Sequence, residues 1–292
     1  MDTSFVITTD TSSDLPQEYI DQHQLNLVTL YFIVDGVTYG YNCPQNMDVK
    51  EFYQKMRDGS APKTQQADPE HIKTVFEPLL RQGKDILHLS FSSGLSGTTN
   101  SCRIAAEDLL EQYPERRIVV IDTLAASLGV GLLVHYALGL QQQGKTLDEI
   151  AQWVEDNKLH LCHYFTVEDL TYLQRGGRIS KATALVGGMI GIKPVLHVDN
   201  DGHLVAVSKV RGRKQSLNAL VDKMEATVGS FRDKNQVVFI SHGDCLDDAN
   251  YVAEQVKARF GIEHFLISDI SPVIGSHSGP GTIALFFLGD QR

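Results

Sequence analysis

The sequence of 292 residues is short of the features that mark the commonest site chemistries. Its four cysteines, Cys43, Cys102, Cys162 and Cys245, form no C-x-x-C pair. Neither a zinc framework nor a redox dithiol is indicated, and the four read as buried, reduced thiols. Positive charge is scarce: the formal net charge of -10 at pH 7 disfavours binding along a phosphate backbone, so nucleic acid is not an expected partner. No apolar run is long enough for a membrane span, and MDTSFVITTD at the start has neither the basic region nor the apolar core of an export signal. The expectation is a soluble, cytoplasmic protein. There is no G-x-x-x-x-G-K-[ST] loop, G-x-G-x-x-G fingerprint or G-x-S-x-G elbow. His160, His163, His197, His203 and His242 lack metal-like spacing and read as ordinary residues. Asp10 and Asp14, at the end of the first strand, suit capping better than catalysis. No catalytic residue, metal or cofactor is assigned.

Apolar residues make up 42% and charged residues 21%, enough for a sizeable core. The periodicity predicts alternating strands and helices. FVITTD (5–10), KDILHLSF (84–91) and RIVVIDT (117–123) read as strands, and LVTLYFIVDGVTYGY as a hairpin about Asp35-Gly36. Helices are expected over SSDLPQEYIDQH, with Ser12, Ser13 and Asp14 as cap candidates, and over 48–59, 68–83, 98–113, 125–143 and 147–158. SAPKTQQA reads as a polar loop. In the second half, GIKPVLHVDNDGHLVAVSKV predicts two strands about Asp201-Gly202, followed by helices over 213–228 and 247–260 among further strands. The expected architecture is α/β in two lobes: a Rossmann-like lobe over 1–158 with a ligand head-group loop, and a two-layer lobe with antiparallel strands over 159–292.

LHLSFSSGLSGTTNS (87–101) runs from a strand into hydroxyls and two glycines, with no cation before Arg103. Glycines allow close backbone approach, and the amides at a helix start favour an anion. Without a lysine, a dense phosphate charge is poorly matched. A carboxylate is better suited to neutral donors, each contributing about 1.5–3 kcal/mol to an ionised acceptor. Ser92, Ser93, Ser96 and Thr98 equally suit helix capping, although one residue suffices for that. RGGRIS (175–180) is either an arginine clamp or a solvated loop. SKVRGRKQS (208–216) is either a solvated helix start or a docking patch for an acidic surface. In SPVIGSHSGPG (271–281), glycines and a proline predict sharp turns around His277, which reads either as an anion donor, acid, base or nucleophile, or as a structural histidine.

TDTSSDL (9–15), KTQQADP (63–69), SSGLSGT (92–98), LQRGGRIS (173–180), KPVL (193–196), KVRGRK (209–214) and IGSHSGPG (274–281) follow one another in an order that resembles the DegV family. Its better-studied members are the fatty-acid-binding subunits of bacterial fatty acid kinase. The resemblance runs nearly end to end. It implies a long-chain fatty acid buried between or within two α/β lobes, its carboxylate held by Thr64, by Ser93 with Ser92, Ser96 and Gly97, and by His277. It also implies a separate ATP-dependent kinase subunit, docked through Arg211, Arg213 and Lys214, and leaves room for transient membrane contact. Gln65 and Ala67 stand where the family usually has Ser and Pro. Leu185, Val186, Met189, Ile190 and Ile192 are candidate tail contacts or core residues. Two rivals remain: a phosphotransferase subunit in which His277 forms an adduct with a small carbonyl substrate, and a lipid-sensing regulator.

Overall fold

The computed structural model describes residues 4–41, 43–45, 47–179 and 191–292. Strand β1 (Phe5–Asp10) leads through a 3-10 turn (Thr11–Ser13) to α1 (Gln17–His23) and β2 (Asn26–Val28). Next come β3 (Tyr31–Val34), β4 (Val37–Tyr39), α2 (Val49–Arg57), β5 (Lys63–Gln65) and α3 (Pro69–Arg81). The N-terminal half closes with β6 (Asp85–Ser90), α4 (Thr98–Gln112), β7 (Ile118–Asp122), α5 (Leu128–Gln142) and α6 (Leu147–Asn157). Four of these strands form a parallel sheet in the order β2-β1-β6-β7. Its middle strands are buried almost throughout, as the continuous apolar and β-branched runs of a covered parallel sheet require.

The expected first helix starts late. Pro16 disfavours helical geometry at Leu15, so α1 begins only after it, with Pro16 itself at the N-cap position. Asp10, not Ser12, Ser13 or Asp14, does the capping here: its carboxylate accepts from the Ser12 amide at the 3-10 turn. The hairpin is where Asp35-Gly36 placed it, both residues having positive φ. The reading of SAPKTQQA as a loop is corrected by β5, which pairs with β3 so that Thr64 stands opposite Phe32. Nothing local in Lys-Thr-Gln favours a strand; the partner edge of β3 supplies it.

The second half contains β8 (Leu161–Thr166), a short helix α7 (Thr171–Arg175), β9 (Ile192–Val198), β10 (Leu204–Arg211), α8 (Arg213–Thr227), β11 (Val237–His242), α9 (Leu246–Phe260), β12 (His264–Asp269), α10 (Pro272–Ser278) and β13 (Ile283–Leu288). Its six-stranded sheet has the order β10-β9-β8-β13-β11-β12, and every pairing but β11 with β12 is antiparallel. The expected division between 158 and 159 falls in the connection from α6 to β8.

Side-chain alternation separates the two faces of this sheet. Cys162 and Tyr164 of β8 and Leu285 and Phe287 of β13 pack with Leu217, Leu220 and Val252 of α8 and α9. Leu161, Phe165, Ala284 and Phe286 face the other way, into a core shared with Phe5, Ile7, Leu87 and Leu89 of the parallel sheet. Helix α5 lies in that core. Its run LGVGLLVHYALGL is apolar on every side, as a helix between two sheets must be. Among the described residues no helix is long and apolar enough to cross a membrane. Cys102 and Cys162 are buried as expected, whereas Cys43 and Cys245 are only half-buried; all four are free thiols.

Candidate functional site

A cavity of about 230 Å³ opens near the N-terminal end of α5. Its lining comes from β5, the loop before α4, β8, β13, α7 and α10, so the site depends on both halves of the chain. Polar side chains in the lining include Thr64, Gln66, Ser96, Arg178 and His277, with Gln65, Ser127, Ser278 and Thr282 besides; apolar walls include Phe91, Leu173, Val273, Ala284 and Phe286.

The sharp turn expected around His277 is instead the last turn of α10, started by Pro272 in its first turn and ended at Gly279, which has φ of +82°. This brings His277 Nε2 to 2.7 Å from Thr64 Oγ1, across 213 positions of sequence. The far side of the ring meets Gly176: a β-carbon there would stand 2.1 Å from Nδ1, so the first glycine of RGGRIS is what lets the imidazole in. Burial, with Arg178 nearby, holds the His277 pKa down at about 4, and the ring is neutral at pH 7. Two neutral arrangements are open to the pair. Either Thr64 donates to Nε2 and Nδ1 carries the proton, or Nε2–H donates to Thr64 and the threonine hydroxyl is left to donate elsewhere. In the first the Nδ1 proton lies against Gly176, whereas the second leaves the Thr64 hydroxyl as a donor for a ligand. His277 Nδ1 and Ser278 Oγ are buried and have no partner among the described residues, although both residues line the cavity.

Of the residues singled out from sequence, Thr64, Ser96, Gly97 and His277 line the cavity. Ser92 and Ser93 stand outside the lining. The Ser92 hydroxyl donates to the Gly202 carbonyl at 2.9 Å and accepts from the Gly94 amide, while Ser93 is exposed and its amide donates to Asp122. Gly94 serves the same contact, because a β-carbon there would lie 2.8 Å from the carbonyl oxygens of Asp201 and Gly202. The first half of SSGLSGT thus seats the β9–β10 turn, and the second half faces the cavity. Gln65 also lines the cavity, and the Ala67 amide donates to Thr98 Oγ1, a bond that proline could not make.

The structure adds Gln66, Arg178 and His163 to the lining. Arg178 Nε donates to the Leu95 carbonyl and an Nη to that of Gly176, which ties the guanidinium between the loop and α7. The cation missing from the loop is therefore delivered by RGGRIS. Its only signal in the sequence was the Arg-Gly-Gly-Arg pattern. His163 sat in the apolar run LHLCHYFT with no sign of its surroundings.

At the inner end, Ser127 of the cavity lining donates to Asp14 at 2.5 Å and shares a 2.8 Å hydrogen bond with Ser241. The Ser271 amide donates to the other Asp14 oxygen. Burial raises the Asp14 pKa to about 7. A second cavity, of about 400 Å³, lies beyond Asp14 and shares Leu30 and Val273 with the first. Of the tail candidates, Ile192 opens β9 and is outside the lining, while residues 185, 186, 189 and 190 lie outside the described residues. Arg213 is engaged with Asp248 at 2.7 Å; Arg211 and Lys214 are exposed, with Lys214 Nζ 5.6 Å from the centre of the Tyr251 ring.

The DegV family profile matches residues 4–290. A DegV domain-containing protein of Clostridium perfringens is 44% identical over 288 residues, spanning 99% of this chain and 98% of the relative. The fatty-acid-binding DegV protein of Thermus thermophilus superposes with a TM-score of 0.87 at 30% identity, over 98% of this chain and 100% of its own. A DegV lipid-binding protein of Thermotoga maritima gives 0.86 at 26% identity, over 99% and 100%. With its parallel first sheet, mixed second sheet and end-to-end match, the chain belongs to the DegV family.

Proposed function

We propose that this protein holds one long-chain fatty acid in the cavity and presents its carboxylate to a separate ATP-dependent kinase subunit that forms the acyl phosphate. The observation that carries the reading is a cluster of donors at Thr64, Gln66, Ser96, Arg178 and His277 in a cavity whose remaining lining is mostly apolar. Arg178 matches the negative charge, and the neutral Thr64–His277 pair offers a directed donor. Burying about a dozen methylenes at about 0.8 kcal/mol each contributes on the order of 10 kcal/mol before ordering costs. The tail then sets affinity, and the polar end sets the position of the carboxyl oxygens. The fatty-acid-binding and lipid-binding relatives from Thermus and Thermotoga support this assignment. Arg211 and Lys214, exposed on β10 and α8, are the candidate docking charges, whereas Arg213 is occupied by Asp248.

The carbonyl phosphotransferase reading calls for a short, polar cavity and a histidine free to attack. Phe91, Leu173 and Phe286 in the walls, and Thr64 on His277 Nε2, favour the fatty acid instead. The test is to extract and identify the lipid retained by the purified protein, then to assay acyl phosphate with ATP and the cognate kinase subunit. Retained long-chain fatty acid, and acyl phosphate only when both proteins are present, is the expected result. Fatty acid without acyl phosphate would support the sensor, and failure to take up any fatty acid would refute the proposal.

A further inference from the structure

Arg292 is not among the residues that line the cavity, yet its guanidinium bonds three separate stretches of the wall from behind. Nη2 donates to the carbonyl of Leu124, two residues before Ala126 of the lining. Nη1 donates at 3.3 Å to the carbonyl of Asp199, which follows Val198 of the lining. Nη2 also lies 3.3 Å from Nδ1 of His163, a lining residue on β8. A guanidinium has only donors, so Nδ1 accepts. The other edge of the His163 ring is stopped by α5, where a β-carbon on Gly129 would stand 2.3 Å from Nε2. The imidazole is wedged between Arg292 and the helix.

The stretch from Leu124 to Ser127 needs such support. Leu124 and Ser127 have φ of +50° and +55°, in the left-handed region that residues other than glycine rarely adopt. Residues so placed persist only when their surroundings over-determine them. The Ser127 hydroxyl is held by Asp14, and the Leu124 amide donates to Asp122 at 3.1 Å. Arg292 adds the tie on the Leu124 carbonyl. Burial lowers the Arg292 pKa to about 10, so the group keeps its charge at neutral pH. A cation taken out of water forfeits hydration that only well-placed acceptors return. The planar guanidinium fork meets three acceptors at once, which a compact ammonium cannot do.

We infer that Arg292 is a positioning residue of the acyl site: without touching the ligand, it fixes the wall formed by Ala126, His163 and Val198 and so sets the shape of chain that the cavity accepts. The inference rests on the fatty acid reading and refines its specificity. A close-packed wall held in one arrangement penalises a chain that does not fit it, whereas a wall free to shift yields to several shapes.

The test is competitive binding to the delipidated, full-length protein of octadecanoic acid, oleic acid and an octadecanoic acid with a mid-chain methyl branch. The wild type should separate the best from the worst of the three by about tenfold or more, and Arg292→Met should narrow the gap to about threefold or less. Arg292→Lys keeps the charge without the fork and should fall between; it carries the test if the methionine variant does not fold. Val256→Ala, in the core on the opposite face of the second sheet, should lose stability and keep the wild-type gap. A wild-type gap within about threefold, an undiminished gap in the Arg292 variant, or an equal narrowing in Val256→Ala overturns this inference alone. No binding of any acid overturns the fatty acid reading with it.

Discussion

At the scale of single residues, the polar end of the cavity combines one full charge with neutral donors. Arg178 is the only residue there that carries a full positive charge at neutral pH among the described residues, His277 being held neutral. Arg178→Met should therefore weaken fatty acid binding most, by about 10- to 100-fold, and Thr64→Val by about 10-fold. Ser93→Ala should leave affinity close to wild type, since Ser93 is exposed and outside the lining. Equilibrium competition with a fluorescent fatty acid measures all three. Equal losses in Ser93→Ala and Arg178→Met would contradict the assignment. Loop composition showed that donors were plentiful, but not which neighbour would take each one. Ser92 and Gly94 are used by the hairpin turn some 110 residues further on, a demand that only the folded chain displays.

At the scale of elements, Asp14 joins the end of the first strand region to the starts of α5 and α10, and through Ser127 to β11. Its folded pKa of about 7 lies above the ordinary carboxyl value of 3.8. The folded state thus binds the extra proton between those limits, and the stability this proton contributes, present at low pH, is lost as pH rises through about 7. The buried histidines act in the opposite sense. His277 has a folded pKa of about 4 against 6.5, so stability falls as pH drops through that interval. Asp14→Asn keeps an acceptor for the Ser271 amide and needs no deprotonation. It should gain stability relative to wild type at pH 8 by a few kcal/mol compared with pH 5. Urea unfolding of both proteins at the two pH values measures this, and an unchanged difference would show that Asp14 is not the titrating link.

The elements themselves were largely legible because their signals are local: the Asp35-Gly36 turn, the helical periodicity over 48–59 and 68–83, and the largely apolar run of α5. The strand at Lys63–Gln65 and the helix carrying His277 were not. One is created by pairing with β3, and the other begins at a proline that reads equally well as a turn.

At the scale of the whole molecule, the cavity exists because two sheets share one buried helix without filling all the space at its N-terminal end. Neither half of the chain supplies the site alone: Thr64, Gln66 and Ser96 come from one, and Arg178 and His277 from the other. A ligand bound across that boundary ties the halves together and stabilises the folded state in proportion to its occupancy. The most direct measurement is the mass of the intact, natively sprayed protein after incubation with a long-chain fatty acid, compared with Arg178→Met. The account predicts a complex heavier by one fatty acid that is depleted in the variant. A wild-type protein found only at the mass of its bare polypeptide would contradict it.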